Sequence, residues 1–332
     1  MQNRYISHRG FTLIEVLVTV MCISILAILL IPAIQSSRES ARRTQCINHL
    51  KQIGTAVANF ETANKHYPSI LETFKVSKML DDGNCLMSIH FQLLPFLEQK
   101  AIFNAVNTDG DPDHPVNLTA SETGVDTFLC PSDQHFQPSC NNYRANIGPY
   151  SHGSESRPTP GGGGAFRLVH TTSASEFKDG LSTTIGWSER SVGNGDHSRF
   201  VRSRDFWFAG ILDDENLITP ADQLMEICNL APAKPTHING KLGQYWLDGT
   251  RNSAAYNHVF PPNMAIPDCN VSPPMTYLWP YYTCAVSARS LHSGGVNVGL
   301  MDGSVRFVKN SIALQVWRAA STRAGNDLAD EF

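Results

Sequence analysis

Charge is scarce in this sequence. Asp, Glu, Lys and Arg make up 17% of its 332 residues, the net charge is −4, and Val16 to Ile34 carries no charge at all. Such a chain has no electrostatic footprint for nucleic acid, so none is expected as a partner. Signatures of chemistry are missing too. No Lys-Ser or Lys-Thr follows Gly161 to Gly164, which removes a phosphate-loop reading and leaves a flexible tip. Cys130-Pro131-Ser132 and Gly186-Trp187-Ser188 lack the Gly-x-Ser-x-Gly form of a nucleophile elbow. No repeat period is visible. No small-residue cleavage site follows the apolar run, unlike an ordinary secretory signal. No catalytic residue is assigned, and no enzyme is expected.

What is present is one long aliphatic segment, interrupted from Val16 to Ile34 only by Thr19, Ser24 and Pro32. A helix from Phe11 to Ile34 is about 36 Å long at about 1.5 Å per residue, enough to cross a hydrocarbon core of about 30 Å. Pro32 reads as a membrane-helix kink. Glu15 is the anomaly, because an acid deep in a bilayer costs about 2.5–3.5 kcal/mol and needs a partner or an interfacial position. Lys and Arg do not set the orientation: Arg4 and Arg9 precede the span, while Arg38, Arg42 and Arg43 follow it, offset by Glu39.

Beyond the span the helix is expected to continue to about Ala63. Cys46, Leu50, Ile53, Val57 and Phe60 recur in steps of four and three and form one apolar stripe, and His66-Tyr67-Pro68 closes the helix. Leu86 to Val106 reads as a second helical stretch, restarted at Pro95. Strand-like runs follow at Phe166–Thr172, Thr183–Trp187, Phe206–Ile211, Tyr281–Val286, Val296–Leu300 and Ser304–Val308, each bounded by turn residues, and a last helix covers Ser311–Ala320. The expected fold is α+β: a long N-terminal helix packed on a mostly antiparallel β-sheet head.

Arg9-Gly10-Phe11-Thr12-Leu13-Ile14-Glu15, with the span behind it, resembles the prepilin leader and N-terminal helix of type IV pilins and type II secretion pseudopilins. The resemblance implies cleavage after Gly10 by a prepilin peptidase and N-methylation of the new terminus at Phe11. It implies neighbouring pilin-like subunits, with Glu15 meeting the terminal amine of one of them. It also places the chain in the bilayer of the cytoplasmic membrane, single-pass, with its head on the periplasmic side. The expected division is a leader over 1–10, a transmembrane part over 11–34, an amphipathic part over 35–64 and an exported head over 65–332.

A second resemblance covers most of what remains. Cys46-Ile47-Asn48-His49-Leu50-Lys51-Gln52-Ile53-Gly54, Leu93-Leu94-Pro95-Phe96-Leu97-Glu98-Gln99 and Cys130-Pro131-Ser132-Asp133 carry it. So do Asn142-Tyr143-Arg144-Ala145-Asn146, Asp179-Gly180-Leu181-Ser182-Thr183-Thr184-Ile185, His292-Ser293-Gly294-Gly295-Val296-Asn297 and Asp302-Gly303-Ser304-Val305-Arg306-Phe307. They are similar to a large bacterial family with a prepilin leader and a pseudopilin-like putative transporter domain of unknown function. Thr183 departs from that pattern, which often has Asn there. The expected function is a pseudopilin-like structural subunit of a type II secretion or type IV pilus-related assembly. The alternative is an anchored envelope enzyme or ligand-binding head that uses the leader only for sorting.

Three local features complete the reading. Of eight cysteines, Cys22 lies in the span and seven lie outside it, an odd number. In an oxidising compartment the nearest pair, Cys130 and Cys140, is the first choice for a disulfide, with free buried thiols as the alternative. Asp109, Asp111 and Asp113 alternate as in calcium loops, and major pseudopilins bind calcium in their heads. The run lacks the Gly and Glu of an EF-hand, so a solvated turn is the competing and favoured reading. His292-Ser293-Gly294-Gly295 with Asp302-Gly303 can be drawn as a metal or catalytic site, but the favoured reading is structural. Asp302-Gly303 closes a hairpin, His292 is expected to hydrogen-bond that turn, and no ligand partners are grouped with it.

Overall fold

The computed structural model describes residues 12–75, 84–150, 163–210, 220–271 and 284–326. In chain order the elements are α1 (Leu13–Asn64), β1 (Leu71–Lys75), β2 (Asn84–Ser88), α2 (Ile89–Leu93), α3 (Lys100–Ala105), α4 (Leu118–Glu122), β3 (Tyr143–Asn146), β4 (Ile185–Glu189) and β5 (Phe206–Phe208). There follow α5 (Ala221–Asn229), β6 (Ile238–Asn239), α6 (Arg251–Ala254), β7 (Ala255–Tyr256), β8 (Asp268–Asn270), β9 (Cys284–Ala285), β10 (Gly295–Leu300), β11 (Val305–Lys309) and α7 (Leu314–Ala319).

The strands form a β1-β2 ribbon, a five-stranded sheet in the order β11-β10-β4-β3-β7 and a four-stranded sheet in the order β6-β5-β8-β9. Pairing is antiparallel except for β3 with β7 and β5 with β8. The α+β expectation of a long helix on a mostly antiparallel head therefore holds.

α1 runs unbroken through Pro32 and stops at Asn64, where Lys65 turns left-handed (φ 67°) and its N–H bonds Glu61 O. Its two halves differ as the apolar pattern dictates. From Leu13 to Ile34 the large apolar side chains are exposed, and among the described residues α1 is the one helix long and apolar enough to cross a membrane. In the outer half, Cys46, Leu50, Ile53 and Val57 are buried in the head, and Phe60 packs edge-on to Phe96. Burying each aliphatic member of that stripe is worth about 1.5–3 kcal/mol.

The sheet accepts the helix because of the alternation in β10. Val296, Val298 and Leu300 point away from α1 and pack with Trp317 of α7. Gly295, Asn297 and Gly299 take the opposite face by the period of two, and Gly299 lies against Leu50. Farther along, a Cβ on Gly54 would stand 3.1 Å from Gly303 Cα in the β10–β11 turn, so bare backbone at both positions sets how closely helix and hairpin approach. Between β4 and β10 the register shifts at Gly299/Leu300, leaving Gly186 as the extra residue. This sends Trp187 into the core under α1 and Ile185 into the core on the other face.

Several expectations change. The helical stretch expected over Leu86 to Val106 begins instead as β2 and turns helical only on the Ser88 cap as α2; around Pro95 it restarts as expected, as a 3-10 turn over Leu94–Leu97 followed by α3. Phe166–Thr172 is not a strand; it buries Phe166 and Leu168, and its Arg167 and Leu168 carbonyls accept from Ile70 and Leu71 in an irregular run. The strand expected over Phe206–Ile211 is β5, ending at Phe208, with position 211 outside the described residues. That over Tyr281–Val286 is β9, with 281–283 outside them.

Candidate functional site

The start of α1 is built around Glu15. Thr12 caps the helix, its Oγ1 accepting from Glu15 N, while the Glu15 carboxylate accepts from Thr12 N at 2.9 Å and Thr12 Oγ1 at 2.8 Å. This reciprocal capping box gives the acid two partners within its own chain. Both donors reach the same oxygen, Glu15 Oε2. Gly10 and Phe11, the expected processing and methylation positions, lie outside the described residues.

The second constellation sits where α1 meets the head. Glu39 and Cys46 are seven residues apart and share a helix face. Cys46 is bonded to Cys130 (Cα–Cα 5.4 Å), which corrects the expected Cys130–Cys140 pair. Cys140 is instead a free, fully buried thiol whose pKa burial pushes up to about 11. Nearness in sequence gave no information on where the Cys130 side chain points, and it points to the helix. A second bridge, Cys228–Cys269, joins α5 to β8.

His292, in the turn before β10, connects the junction. Its Nδ1 is 2.7 Å from Glu39 Oε1, and its Nε2 is 3.2 Å from Glu189 Oε1 and 3.8 Å from Cys130 Sγ. Asn297 holds Glu189 with its backbone N–H at 2.8 Å and its Nδ2 at 2.7 Å, and Glu39 also accepts from Arg42 and Ser132. Burial by itself would lower the His292 pKa, but bonds and charge from Glu189 and Glu39 outweigh it and raise the value above the ordinary one. Burial would raise Glu39, yet its bonds to His292, Arg42 and Ser132 bring it below the usual carboxylate value. Beside the cluster, Arg43 lies over the Phe307 ring at 3.7 Å, a further contact between α1 and β11.

A buried charge cluster backs the junction. Asp268 on β8 receives Arg190 through Nε (3.1 Å) and Nη2 (2.9 Å), Arg289 through Nη2 (3.0 Å), and Ser287 Oγ at 2.5 Å. Surplus guanidinium N–H groups reach Arg204 O and Met264 O. The cluster ties the four-stranded sheet to the end of β4. No sequence spacing pointed to it, because its members come from three separate segments.

Among the described residues, the one group of three or more His, Cys, Asp or Glu donors brought together as metal ligands need to be is Cys46, Cys130, Glu189 and His292. Asp109, Asp111 and Asp113 are not such a group; Asp109 and Asp113 are exposed and Asp111 is half-buried. The middle of their loop is filled by the buried Asn117 amide, which donates to Asn107 O, Gly110 O and Asp111 O. A cation there competes with Asn117. Asp302-Gly303 is the hairpin turn the sequence indicated, Asp302 accepting from Ser304 N and Oγ. His292 turns away from it, toward α1.

A half-exposed apolar helix with a prepilin-type start, docked on an α+β head, defines the pilin-like class. Residues 7–31 match the prokaryotic N-terminal methylation motif. Residues 35–315 match the family described as protein of unknown function (DUF1559), and the chain belongs to that family. It is similar to type II secretion system core protein G of Escherichia coli K12, 31% identical over 62 residues, 19% of this chain and 43% of that protein. It is also similar to core protein G of Pseudomonas aeruginosa, 34% identical over 84 residues, 25% of this chain and 58% of that protein. The chain thus spans about half the length of these curated relatives. No solved structure matches it.

Proposed function

We propose that this chain is a pseudopilin-like structural subunit of a type II secretion or type IV pilus-related envelope assembly. On this reading it is cut after Gly10 by a prepilin peptidase, methylated at Phe11 and anchored by α1 in the cytoplasmic membrane, with the head on the periplasmic side. The observation that carries the proposal is the exposed apolar half of α1, whose one acid, Glu15, lies in its first turn, four residues in sequence from the expected new terminus. The methylation-motif match and the similarity to core protein G support it. The role is structural rather than catalytic.

Physically, a membrane-buried helix gains little from apolar contacts alone, so a polar pair between subunits sets register. Glu15 lies in the first turn of α1, at the third helical position after the Thr12 cap and four residues from the expected new terminus in sequence. A neighbour's amine offers Glu15 an ion pair in a low-dielectric setting, at the carboxylate oxygen that the Thr12 donors leave open. The test is Glu15→Val. It should be cleaved, inserted and folded, since Glu15 is only the N3 partner of the Thr12 cap and its loss is confined to the first turn of α1. It should be absent from complexes pulled down with tagged wild-type chain. Co-purification at unchanged stoichiometry would reject the proposal.

A further inference from the structure

We propose that Cys46, Cys130, Glu189 and His292 form, when the two cysteines are thiols, a closed four-ligand Zn2+ site that replaces the Cys46–Cys130 disulfide as the link between α1 and the head.

The donor atoms Cys46 Sγ, Cys130 Sγ, a Glu189 carboxylate oxygen and a His292 ring nitrogen all lie within 4.8 Å of one another, and all four residues are buried. Tetrahedral zinc with Zn–S of about 2.3 Å and Zn–N or Zn–O of about 2.0–2.2 Å sets its ligand atoms about 3.3–3.8 Å apart. A shift of about an ångström in the side chains, once the S–S bond is open, therefore suffices. Two thiolates, an imidazole and a carboxylate suit zinc better than magnesium or calcium, which select oxygen.

The surroundings are arranged as such a site requires. His292 Nε2 faces Cys130 and Glu189, while Nδ1 is taken by Glu39 at 2.7 Å, the carboxylate–histidine pairing that orients a metal-bound imidazole. Glu189 is fixed by both Asn297 donors. Cys130 N donates to Asn142 Oδ1, and Asn142 is in turn held by Asp133 and His135. Three anionic ligands around Zn2+ leave one net negative charge, and Arg190 and Arg289 line the small cavity that Cys130 and Glu189 share. With four protein ligands, no position remains for a reacting water, so the site is structural.

A chain whose thiols have not yet been oxidised is in the binding state without any reductant. For the oxidised chain, a phosphine supplies two electrons. The S–S bond breaks, phosphorus takes oxygen from water to become a phosphine oxide, and the two water hydrogens end on the sulfurs. Zn2+ then displaces both thiol protons and any proton on His292 Nε2, and two Zn–S bonds form.

The test uses the full chain in detergent, before and after phosphine treatment, with Zn2+ uptake followed by competition against a chromophoric chelator and with Co2+ as the spectroscopic probe. The reduced chain should bind one Zn2+ that the oxidised chain does not bind. Its Co2+ form should show intense tetrahedral ligand-field bands and a sulfur-to-cobalt charge-transfer band. Glu39→Gln should weaken binding about 10–100-fold, and a Cys46→Ser/Cys130→Ser double variant should lose the site while retaining the other thiols. A reduced, folded chain with no zinc uptake overturns the proposal. So does weak octahedral Co2+ absorption, or unchanged affinity in the double variant. Should that variant fail to fold, the Co2+ spectrum of the wild-type chain decides.

Discussion

Acidification should unfold this head through two histidines held neutral in its core. His90 is enclosed edge-on by Phe128 and Trp187, with Nε2 bonded to Tyr143 O at 2.7 Å. Burial pushes its pKa down to about 4. His258 stacks on Trp317, bonds Trp317 O through Nδ1 and meets Tyr256 Oη through Nε2, and burial pushes its pKa down to about 3. In the unfolded chain both return to about 6.5. A histidine with a depressed folded pKa stabilises fully above the unfolded value and loses that contribution as pH falls toward the folded one. Between about pH 7 and about pH 5, each then withdraws about 2 kcal/mol, so the pair removes about 4 of the roughly 5–15 kcal/mol that hold a typical domain. His292 works in the opposite sense: its raised pKa stabilises in mild acid and is lost as pH rises through the folded value. Denaturant midpoints across this range give the stability curve, and NMR of labelled imidazoles in the folded chain assigns it. Both buried rings should remain neutral at about pH 5, where an unperturbed histidine is charged. Titration of either near 6.5 would refute the reasoning.

Three further outcomes follow from packing and pairing. Non-reducing peptide mapping of protein isolated under oxidising conditions should recover Cys46–Cys130 and Cys228–Cys269 with Cys140 free, and losing the first bridge should cost up to about 2–5 kcal/mol in denaturant; a Cys130–Cys140 peptide would contradict the fold at the junction. Asp268→Asn strands two buried guanidinium groups and should cost about 3–5 kcal/mol, whereas a loss below about 1 kcal/mol would mean that the cluster is solvated. Gly54→Leu drives a side chain at the Gly303 backbone and should cost about 1–3 kcal/mol by thermal unfolding; an unchanged midpoint would show that helix and hairpin separate freely.

The parts legible in the sequence are those whose physics is local. The α1 stripe was readable because a single period fixes one face, and β10–β11 because Asp302-Gly303 closes a hairpin between two alternating runs. The start of α2 carries a local signal of its own: Ser88 accepts from Phe91 N as an N-cap, which separates a strand from a helix within one apolar stretch. The junction was illegible for a different reason. Cys46 stood on the stripe as an ordinary core residue, and Cys130, Glu189 and His292 reach it from three other segments, so only the sheet order brings them together. The traces were that Cys46, Cys130 and His292 each open one of the motifs that carry the family resemblance, and that Glu39 is a carboxylate seven residues before Cys46 and on the same face.

The mature N-terminus of the chain tests the central claim most directly. Intact-mass analysis and N-terminal peptide sequencing of protein extracted from membranes of its native host should find a polypeptide that begins at Phe11 and carries one N-methyl group, with the head intact. A chain that retains Met1 and the leader through Gly10, in cells where other prepilins are processed, would contradict the account.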